Sequence, residues 1–478
     1  MSAMRPGERV VLACTELDDD GAGLSDLDGT ELHVPGALPG EEVAARIAHV
    51  SPHQPIAWGE LESVTAPSPD RRDPVCAGFG RCGGCALQHL AYDAQLAWKR
   101  ARVQRAFAAH AALREVAVGA CVPSPRVFGY RNNAKLVPAR DAGGVRLGGY
   151  APRSHEVVDL IGCRIVEPAI DAVAGALRTA IAEAGVEIYD ERRATGRLRY
   201  VVLRANHAGD VLIALVVARP LPDGPALAER LRAAHPAIAG VVEHQNRTRG
   251  NAIFAPDGEE RLLAGAGEIE DRLDVSGHPL RVRLTPAAFF QVNRNVAGLA
   301  YTTLADALAV RPTERIVDAY SGVGGIGLAL AKTGADVMGI ESQAGAVANA
   351  AAAAALNGIG IARFVAGDAA VAMANVNRAD VVVINPPRKG CAPEVLAQIA
   401  RLTPRAVGYL SCDPDTLARD LAVLATARYQ ARAVTPFDML PHTPHVETLV
   451  VLERAQGSRG AGAPDSADSA DSRARLVG

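Results

Sequence analysis

Two side chains near the C-terminal end of the chain could carry out covalent chemistry on an electron-poor ring. Cys412 follows a predicted strand, and Glu447 precedes the last predicted strand. A thiolate can add to such a ring and hold it while a neighbouring carbon is methylated. A partly desolvated carboxylate can then remove the proton of that carbon. Arg388 and Lys389 end the adjoining predicted strand, and we expect their charges to lower the pKa of the Cys412 thiol.

A glycine-rich turn over residues 320–325 follows a strand that ends near Asp318 and precedes a predicted helix. Glu341, Asp368 and Asn385 follow the next three strands. The carboxyl ends of parallel strands meet at one edge of a sheet, where ligands bind. A carboxylate there is often only a turn residue, and the turn alone would also fit a dinucleotide site. The ordered set favours a nucleoside cofactor, with Glu341 on the ribose and Asp368 on the adenine amino group.

A second group of residues is typical of a metal site. Cys76, Cys82 and Cys85 lie in a glycine-rich segment, and Cys163 is the best candidate for a fourth ligand. Four thiolates can close a zinc or an iron–sulfur site. The spacing does not distinguish between the two.

Composition limits the class of protein. The chain has 478 residues, of which 49% are hydrophobic, so two to four domains are expected. Its net charge of −3 does not indicate a nucleic-acid binder overall, although basic residues cluster within 71–72, 99–102 and 192–199. Such clusters form either a phosphate-binding face or solvated surface, and clustering alone favours the latter. No apolar run reaches about 18 residues, and the cysteine pattern fits reduced thiols. We therefore expect a cytoplasmic protein without a membrane segment.

The order of predicted elements divides the chain into four parts. Residues 1–66 show short strands broken by turns, which predicts a small barrel. Residues 67–284 are of mixed α+β type. In residues 285–456 strands alternate with helices, which predicts a parallel sheet covered on both faces and an α/β fold. Residues 457–478 are rich in Ser, Asp, Ala and Gly and are predicted to be disordered.

Taken together, these motifs resemble the RNA uracil-5-methyltransferases, which make 5-methyluridine in ribosomal or transfer RNA. The resemblance covers nearly the whole chain. It implies a Rossmann-like S-adenosylmethionine methyltransferase domain in 285–456 and a central domain with an iron–sulfur site. It also implies an N-terminal TRAM domain, an OB-like RNA-binding barrel, which segments 20–23 and 34–41 resemble.

The resemblance also implies a role for each site residue. The nucleophile and the proton-abstracting base are Cys412 and Glu447. The residues that bind S-adenosylmethionine are Gln291, Tyr320, Gly325, Glu341, Asp368 and Asn385. The ligands of a 4Fe–4S cluster are Cys76, Cys82, Cys85 and Cys163.

Two positions depart from the pattern of many members. Asn385 stands where many have Asp, so a carboxylate role is in doubt there, although an amide can still donate to the cofactor or to uracil. Gly325 replaces a side chain, so its contact would be made by backbone only.

The target base must leave its stack to react. Phe289 or Phe290 can receive its face, although core packing fits both equally, and Arg131 can contact phosphate.

The expected activity is methylation of carbon-5 of a specific uridine by a monomeric enzyme. A TRAM domain with a cluster favours 23S ribosomal RNA, and transfer RNA is the alternative.

A methyltransferase for exocyclic nitrogen needs an aromatic residue after the two prolines, where Arg388 stands. A non-catalytic iron–sulfur RNA-binding protein would not need Cys412 and Glu447. A radical S-adenosylmethionine enzyme is disfavoured because its C-x3-C-x2-C triad is missing.

Overall fold

The computed structural model describes residues 4–455 apart from positions 153, 249, 251 and 256. The segment 457–478, for which we predict disorder, lies outside the described residues. None of the helices in the described ranges combines the length and hydrophobicity that a bilayer crossing requires.

The N-terminal strands form one sheet in the order β1-β5-β6-β4-β3-β2. These strands are β1 (Arg9–Ala13), β2 (Glu16–Leu17), β3 (Gly23–Leu27), β4 (Thr30–Val34), β5 (Glu42–Val50) and β6 (Ile56–Ala66). Buried and exposed side chains alternate along β5, where Val43, Ala45 and Ile47 enter a small core with Leu32 and Val34 of β4. Helix α1 (Tyr92–Ala108) follows this sheet.

The central part contains a second sheet in the order β13-β12-β11-β10-β7-β8-β9. Its elements are β7 (Asn133–Asp141), β8 (Gly144–Tyr150), β9 (Val157–Asp159), α2 (Pro168–Glu183), β10 (Leu198–Ala205), β11 (Val211–Val217), α3 (Gly224–Ala234), β12 (Ile238–Gln245) and β13 (Glu260–Gly265). Helices α2 and α3 pack against one face, where Leu177 and Leu227 share a core with Val201 and Ile213. A hairpin of β14 (Ile269–Val275) and β15 (His278–Leu284) follows.

The C-terminal part is the predicted sheet of alternating strands and helices. Its elements are α4 (Arg294–Leu308), β16 (Arg315–Ala319), α5 (Gly325–Ala331), β17 (Asp336–Glu341), α6 (Ala344–Leu356), β18 (Ala362–Ala366), α7 (Ala369–Ala374), β19 (Val381–Ile384), α8 (Pro393–Leu402), β20 (Ala406–Ser411), α9 (Pro414–Thr426), β21 (Tyr429–Phe437) and β22 (Glu447–Arg454). The strand order is β18-β17-β16-β19-β20-β22-β21, and β16 to β20 are parallel. The prediction of an α/β fold is confirmed.

Two segments that the sequence places in the central part pack with the C-terminal sheet instead. Leu273 and Leu280 of the hairpin share a core with Leu304 of α4. On the other face, Phe107 of α1 packs in a core with Leu421 of α9. Each segment has an apolar side, and the C-terminal sheet covers it. Sequence order alone does not reveal which of the sheets an apolar side will pack against.

Candidate active site

The polar residues that we selected from the sequence follow neighbouring strands of the C-terminal sheet. Tyr320 follows β16, Glu341 ends β17, Asp368 follows β18, Asn385 follows β19 and Cys412 follows β20. Because these strands are parallel, all five residues lie at the carboxyl edge of the sheet. After β16 the chain continues to β17 on one side of that strand, and it later returns to β19 on the other side. The connections after β16 and β19 therefore run in opposite directions, which leaves a crevice between these two strands. Ligands bind at such a switch point.

The glycine-rich turn after β16 has an unusual backbone conformation. Tyr320 has a φ of 63° although it is not glycine, and residues with side chains adopt this conformation only when their surroundings enforce it. Gly324 has a φ of 82° and begins α5. The backbone N–H of Gly322 donates to Glu341 Oε2 at 3.1 Å, so the turn fixes the carboxylate at the end of β17. The backbone turn and the carboxylate thus form one unit at the crevice.

Gly325 and Gln291 are joined through Tyr301 of α4. A Cβ atom at position 325 would lie 3.0 Å from a ring carbon of Tyr301, which explains why glycine replaces a side chain there. The Tyr301 hydroxyl contacts the side chain of Gln291. The Gln291 carbonyl in turn accepts a hydrogen bond from Asn132 Nδ2 at 2.9 Å. The central part of the chain therefore helps to position Gln291.

Asp368 and Asn385 have structural contacts of their own. Asp368 caps α7, because Oδ1 accepts hydrogen bonds from the N–H groups of Ala370 at 2.9 Å and Val371 at 3.1 Å. This is the turn role that we considered for such a carboxylate. Asn385 is half-buried, and its position between β19 and two prolines directs it to the same edge as Glu341.

Cys412 and Glu447 lie opposite each other on adjacent strands. Strand β22 runs antiparallel to β20, and Ser411 pairs with Thr448. Continuing this register by one residue places Cys412 beside Glu447. The antiparallel direction also means that β22 begins at the edge where the parallel strands end. A thiol and a carboxyl group therefore meet at the carboxyl edge of the sheet.

Burial disfavours the ionised form of both groups. It raises the pKa of Glu447 to about 8, and Glu447 Oε1 has no hydrogen-bond partner among the described residues. Burial and then Glu447 raise the pKa of Cys412 to about 11, and Arg388 opposes this only in part. Arg388 lowers the pKa of this thiol in the direction that the sequence predicts, but burial outweighs its charge, and the net shift is upward.

The two phenylalanines before Gln291 have different environments. Phe290 is buried in the core with α4, which is the packing alternative that we considered. Phe289 has 68% of its surface exposed. A large exposed aromatic ring next to Gln291 can receive the face of a base.

The four cysteines lie away from this edge, around a cavity of about 460 Å³ in the central part of the chain. Cys76, Cys82, Cys85 and Cys163 all line it, and all are free thiols. Burial, with added repulsion from the other three, raises the pKa of Cys85 to about 12. Within the described ranges, no three His, Cys, Asp or Glu side chains form a group that could hold a metal ion.

Several residues near the site have contacts that local sequence does not reveal. The ammonium group of Lys99 on α1 is fully buried and contacts Asp438, in the loop before β22. Breaking such a buried pair typically costs about 3–5 kcal/mol. In the sequence, Lys99 belonged to a cluster that we interpreted as either phosphate-binding or solvated, and it is neither. Asp318 is also buried, which raises its pKa to about 7, and its Oδ2 accepts the N–H of Gly327 at 2.8 Å.

Comparisons with known proteins agree with this geometry. A model of the family described as tRNA (Uracil-5-)-methyltransferase matches residues 208–455. A protein of Geobacter sulfurreducens named as an uncharacterized RNA methyltransferase is 38% identical over 93% of this chain and 90% of its own length. A protein of Halalkalibacterium halodurans with the same description is 35% identical over 93% of this chain and 96% of its own length.

A solved structure shows the same relationship. The crystal structure of Pyrococcus abyssi tRNA (uracil-54, C5)-methyltransferase in complex with S-adenosyl-L-homocysteine aligns with a TM-score of 0.72 and 29% identity. The alignment covers 93% of this chain and 100% of that chain. The family that we expected from the sequence is confirmed. The chain belongs to the RNA uracil-5-methyltransferase family and is an S-adenosylmethionine-dependent RNA methyltransferase.

Proposed function

We propose that this enzyme methylates carbon-5 of one uridine in 23S ribosomal RNA through a covalent bond between Cys412 and the base. The observation that carries the proposal is the register of β20 and β22, in which Ser411 pairs with Thr448 and the next residue on each side is Cys412 or Glu447. This pairing lies at the edge where the nucleoside-binding candidates also end. A nucleophile and a base on the same ring are what substitution at carbon-5 requires.

The reaction begins at the sulfur of Cys412. The thiol gives its proton to water, and Arg388 stabilises the thiolate because its charge favours the ionised form. The sulfur bonds to carbon-6 of uracil, and the electron pair of the 5,6 double bond makes carbon-5 nucleophilic. After carbon-5 has gained the methyl group, Glu447 removes its proton. The electrons of that carbon–hydrogen bond restore the double bond and expel Cys412 as a thiolate.

S-adenosylmethionine supplies the activated methyl group when it is bound. The residues that would hold it are those at the crevice: Gln291, Tyr320, Gly325, Glu341, Asp368 and Asn385. They fit a nucleoside, because Glu341 is already oriented by the N–H of Gly322 and a carboxylate can accept from two ribose hydroxyls. The Asn385 amide would donate to the cofactor or to uracil.

Basic residues on the central sheet give the RNA a surface beside Phe289. Burial, and then the charges of Arg131 and Arg204, lower the pKa of Lys135. Lys135 is exposed and Arg131 half-buried, so these two can contact phosphate, whereas Arg204 is buried. Arg204 donates to the carbonyl of Ala288, directly before Phe289. Clustered cations bind phosphate, and the exposed Phe289 ring can stack on the uridine once it has left its helix.

The domain organisation follows from these roles. We assign residues 1–66 to a TRAM domain with an OB-like RNA-binding barrel, 67–284 to the central domain, 285–456 to the methyltransferase domain and 457–478 to a disordered tail. The α1 helix and the β14–β15 hairpin belong by sequence to the central domain and by packing to the methyltransferase domain. We propose that the enzyme acts as a cytoplasmic monomer.

We propose that the four cysteines hold a 4Fe–4S cluster. The donor set is four thiols without histidine around one cavity, and four thiolates are the ligands that such a cluster takes. The clustered thiols oppose one another's ionisation, and a cationic centre would relieve that repulsion. The methyl transfer moves no net electrons, so the cluster's role would be structural or RNA-positioning.

Transfer RNA is the second candidate substrate. The Pyrococcus abyssi enzyme that aligns over its whole length is a tRNA (uracil-54, C5)-methyltransferase. That similarity favours transfer RNA, whereas the combination of a TRAM domain and a cluster favours 23S ribosomal RNA.

The covalent mechanism predicts opposite results for the two reactive residues. Cys412→Ala should abolish both methyl transfer and the protein–RNA adduct, since no other thiol replaces the nucleophile. Glu447→Gln should form the adduct but release product at least about 100-fold more slowly, because the carbon-5 proton has no base. Denaturing gels with labelled S-adenosylmethionine and RNA measure both. Cys14→Ala, in the N-terminal core, serves as the control and should behave as the native enzyme. Normal turnover by Cys412→Ala would refute the mechanism.

The burial of Glu447 predicts a pH-dependent loss of stability. Its pKa is about 8 in the folded protein and 4.5 in the reference state. The folded protein therefore holds this proton more tightly, and its stability falls as the pH rises from 4.5 to 8. Glu447→Gln removes this dependence. We therefore compare the free energies of unfolding of this variant and of the native enzyme in urea at pH 4.5 and at pH 7. From the lower to the higher pH, the difference between them should shift by about 2–3 kcal/mol in favour of the variant. Glu453→Gln, on the exposed end of the same strand, should show no such change.

The choice of RNA can be tested in cells. Mapping 5-methyluridine in RNA from cells with and without this protein should show the loss of one modified position in 23S ribosomal RNA. Re-expression of the native chain should restore that position, and Cys412→Ala should not. Loss of a transfer RNA position instead would support the second candidate and exclude the first.

The cluster can be tested by metal analysis. Protein purified without oxygen should contain about four irons and four sulfides per chain, with absorption near 400 nm. Cys163→Ser should lower the iron content, whereas Cys121→Ser, outside the set, should not. One zinc per chain without sulfide would overturn the assignment.

A further inference from the structure

The loop that leads into β22, residues 438–446, is held by side chains from α1. The hydroxyl of Tyr92 donates to Asp438 Oδ2 at 2.8 Å. The ammonium of Lys99 contacts the same carboxylate and donates to the carbonyl of Leu440 at 3.1 Å. These bonds connect residues more than 300 positions apart in the sequence.

Gln95 makes the most extensive contacts with this loop. It is fully buried, and its Oε1 accepts the backbone N–H of His442 at 3.0 Å. Its Nε2 donates to the carbonyls of Leu87 at 3.0 Å and Leu90 at 2.7 Å. The same nitrogen lies 3.3 Å from His442 Nδ1. One amide therefore joins two segments of backbone that belong to different parts of the chain.

The segment on the other side of Gln95 follows the cysteines directly. The N–H of Leu87, two residues after Cys85, donates to the carbonyl of His442 at 2.9 Å. His442 has a φ of 67°, which a residue with a side chain keeps only when its contacts enforce it. Tyr130 adds a further bond, from its hydroxyl to the Pro441 carbonyl at 3.1 Å. The conformation of the 438–446 loop thus depends on residues outside its own sheet.

We propose that Gln95 is a positioning residue for Glu447. It fixes the 438–446 loop so that the carboxylate reaches the carbon-5 proton, and it ties this placement to the segment after the cysteines. The proposal rests on the proposed role of Glu447 as the base. Cys412 does not depend on this contact, because it lies between the end of β20 and Asp413, whose Oδ1 accepts the N–H of Thr416 at 2.9 Å at the start of α9.

The two half-reactions should therefore respond differently to the loss of the Gln95 amide. In full-length Gln95→Leu, the adduct with RNA should form within about threefold of the native rate. Its release should slow by about 10- to 100-fold, since small displacements of a catalytic group have effects of this size. Single-turnover reactions with labelled S-adenosylmethionine, and RNA from cells that lack this protein, measure both rates. Equal loss of both rates, or native release, would overturn the proposal.

Two further variants make the test specific. Tyr92→Phe removes the hydroxyl that donates to Asp438 in this loop and also accepts the N–H of Ser124, and it should slow release by about fivefold, the size of a typical hydrogen-bond contribution. This milder change tests the proposal even if Gln95→Leu does not fold. Gln245→Leu is a matched control, because Gln245 is a buried glutamine on β12 that donates to the carbonyl of Ala218. It should leave the ratio of the two rates unchanged, and a shift in that ratio as large as that of Gln95→Leu would count against the proposal.

Glu447→Gln in the same assay separates this proposal from the proposed function. If Glu447→Gln releases product normally, Glu447 is not the base and both assignments fail. If Glu447→Gln retains the adduct while Gln95→Leu releases product at the native rate, only the positioning role of Gln95 is overturned.

Discussion

The antiparallel pairing of β20 with β22 is the constraint on which the site depends. All parallel strands end at the ligand edge and begin at the opposite edge. They can therefore place a thiol after β20 at the ligand edge, but not a residue from the start of another parallel strand. Reversing the last strand brings Glu447 to that edge, and pairing of Ser411 with Thr448 places it beside Cys412. A shift of one residue would turn Glu447 to the opposite face of the sheet. The chemistry therefore depends on a backbone register as much as on the residue types.

Burial explains both the stability and the chemical state of this pair. A carboxyl group without a partner for one oxygen is costly in a sheet interior, and Glu447 remains there in its neutral form. The neighbouring thiol is also neutral. An ionised Glu447 raises the pKa of Cys412, so simultaneous ionisation is disfavoured, and the proposed reaction uses the thiolate and the carboxylate in separate steps. Placing two acids with mutually opposed ionisation in one site is typical of catalytic centres.

Local sequence signals predicted the parts of the site that single strands carry. Each polar residue at a strand end could be located because β-strand periodicity and glycine turns are visible within a few residues. The sequence shows the basic residue that lowers the pKa of Cys412, but it does not show the burial that raises this pKa by more, because burial depends on packing from distant elements. For the same reason, the sequence did not show that Lys99 pairs with Asp438 or that Gln95 contacts His442. Those contacts join residues far apart in the chain, and each residue type there also suits an exposed helix.

The strained backbone of His442 shows how the two main parts of the enzyme are linked. A positive φ at a histidine costs of order 1–3 kcal/mol. The compensating contacts come from Gln95, Leu87 and Tyr130, which belong to the segments that flank the cysteines and the basic surface. The loop is therefore stable only when those segments are folded against it. These segments also lie beside the surface that we assign to RNA. The contacts that place Glu447 therefore belong to the same segments that bind the substrate. The docking of these segments against the 438–446 loop aligns the uracil base with the carboxylate.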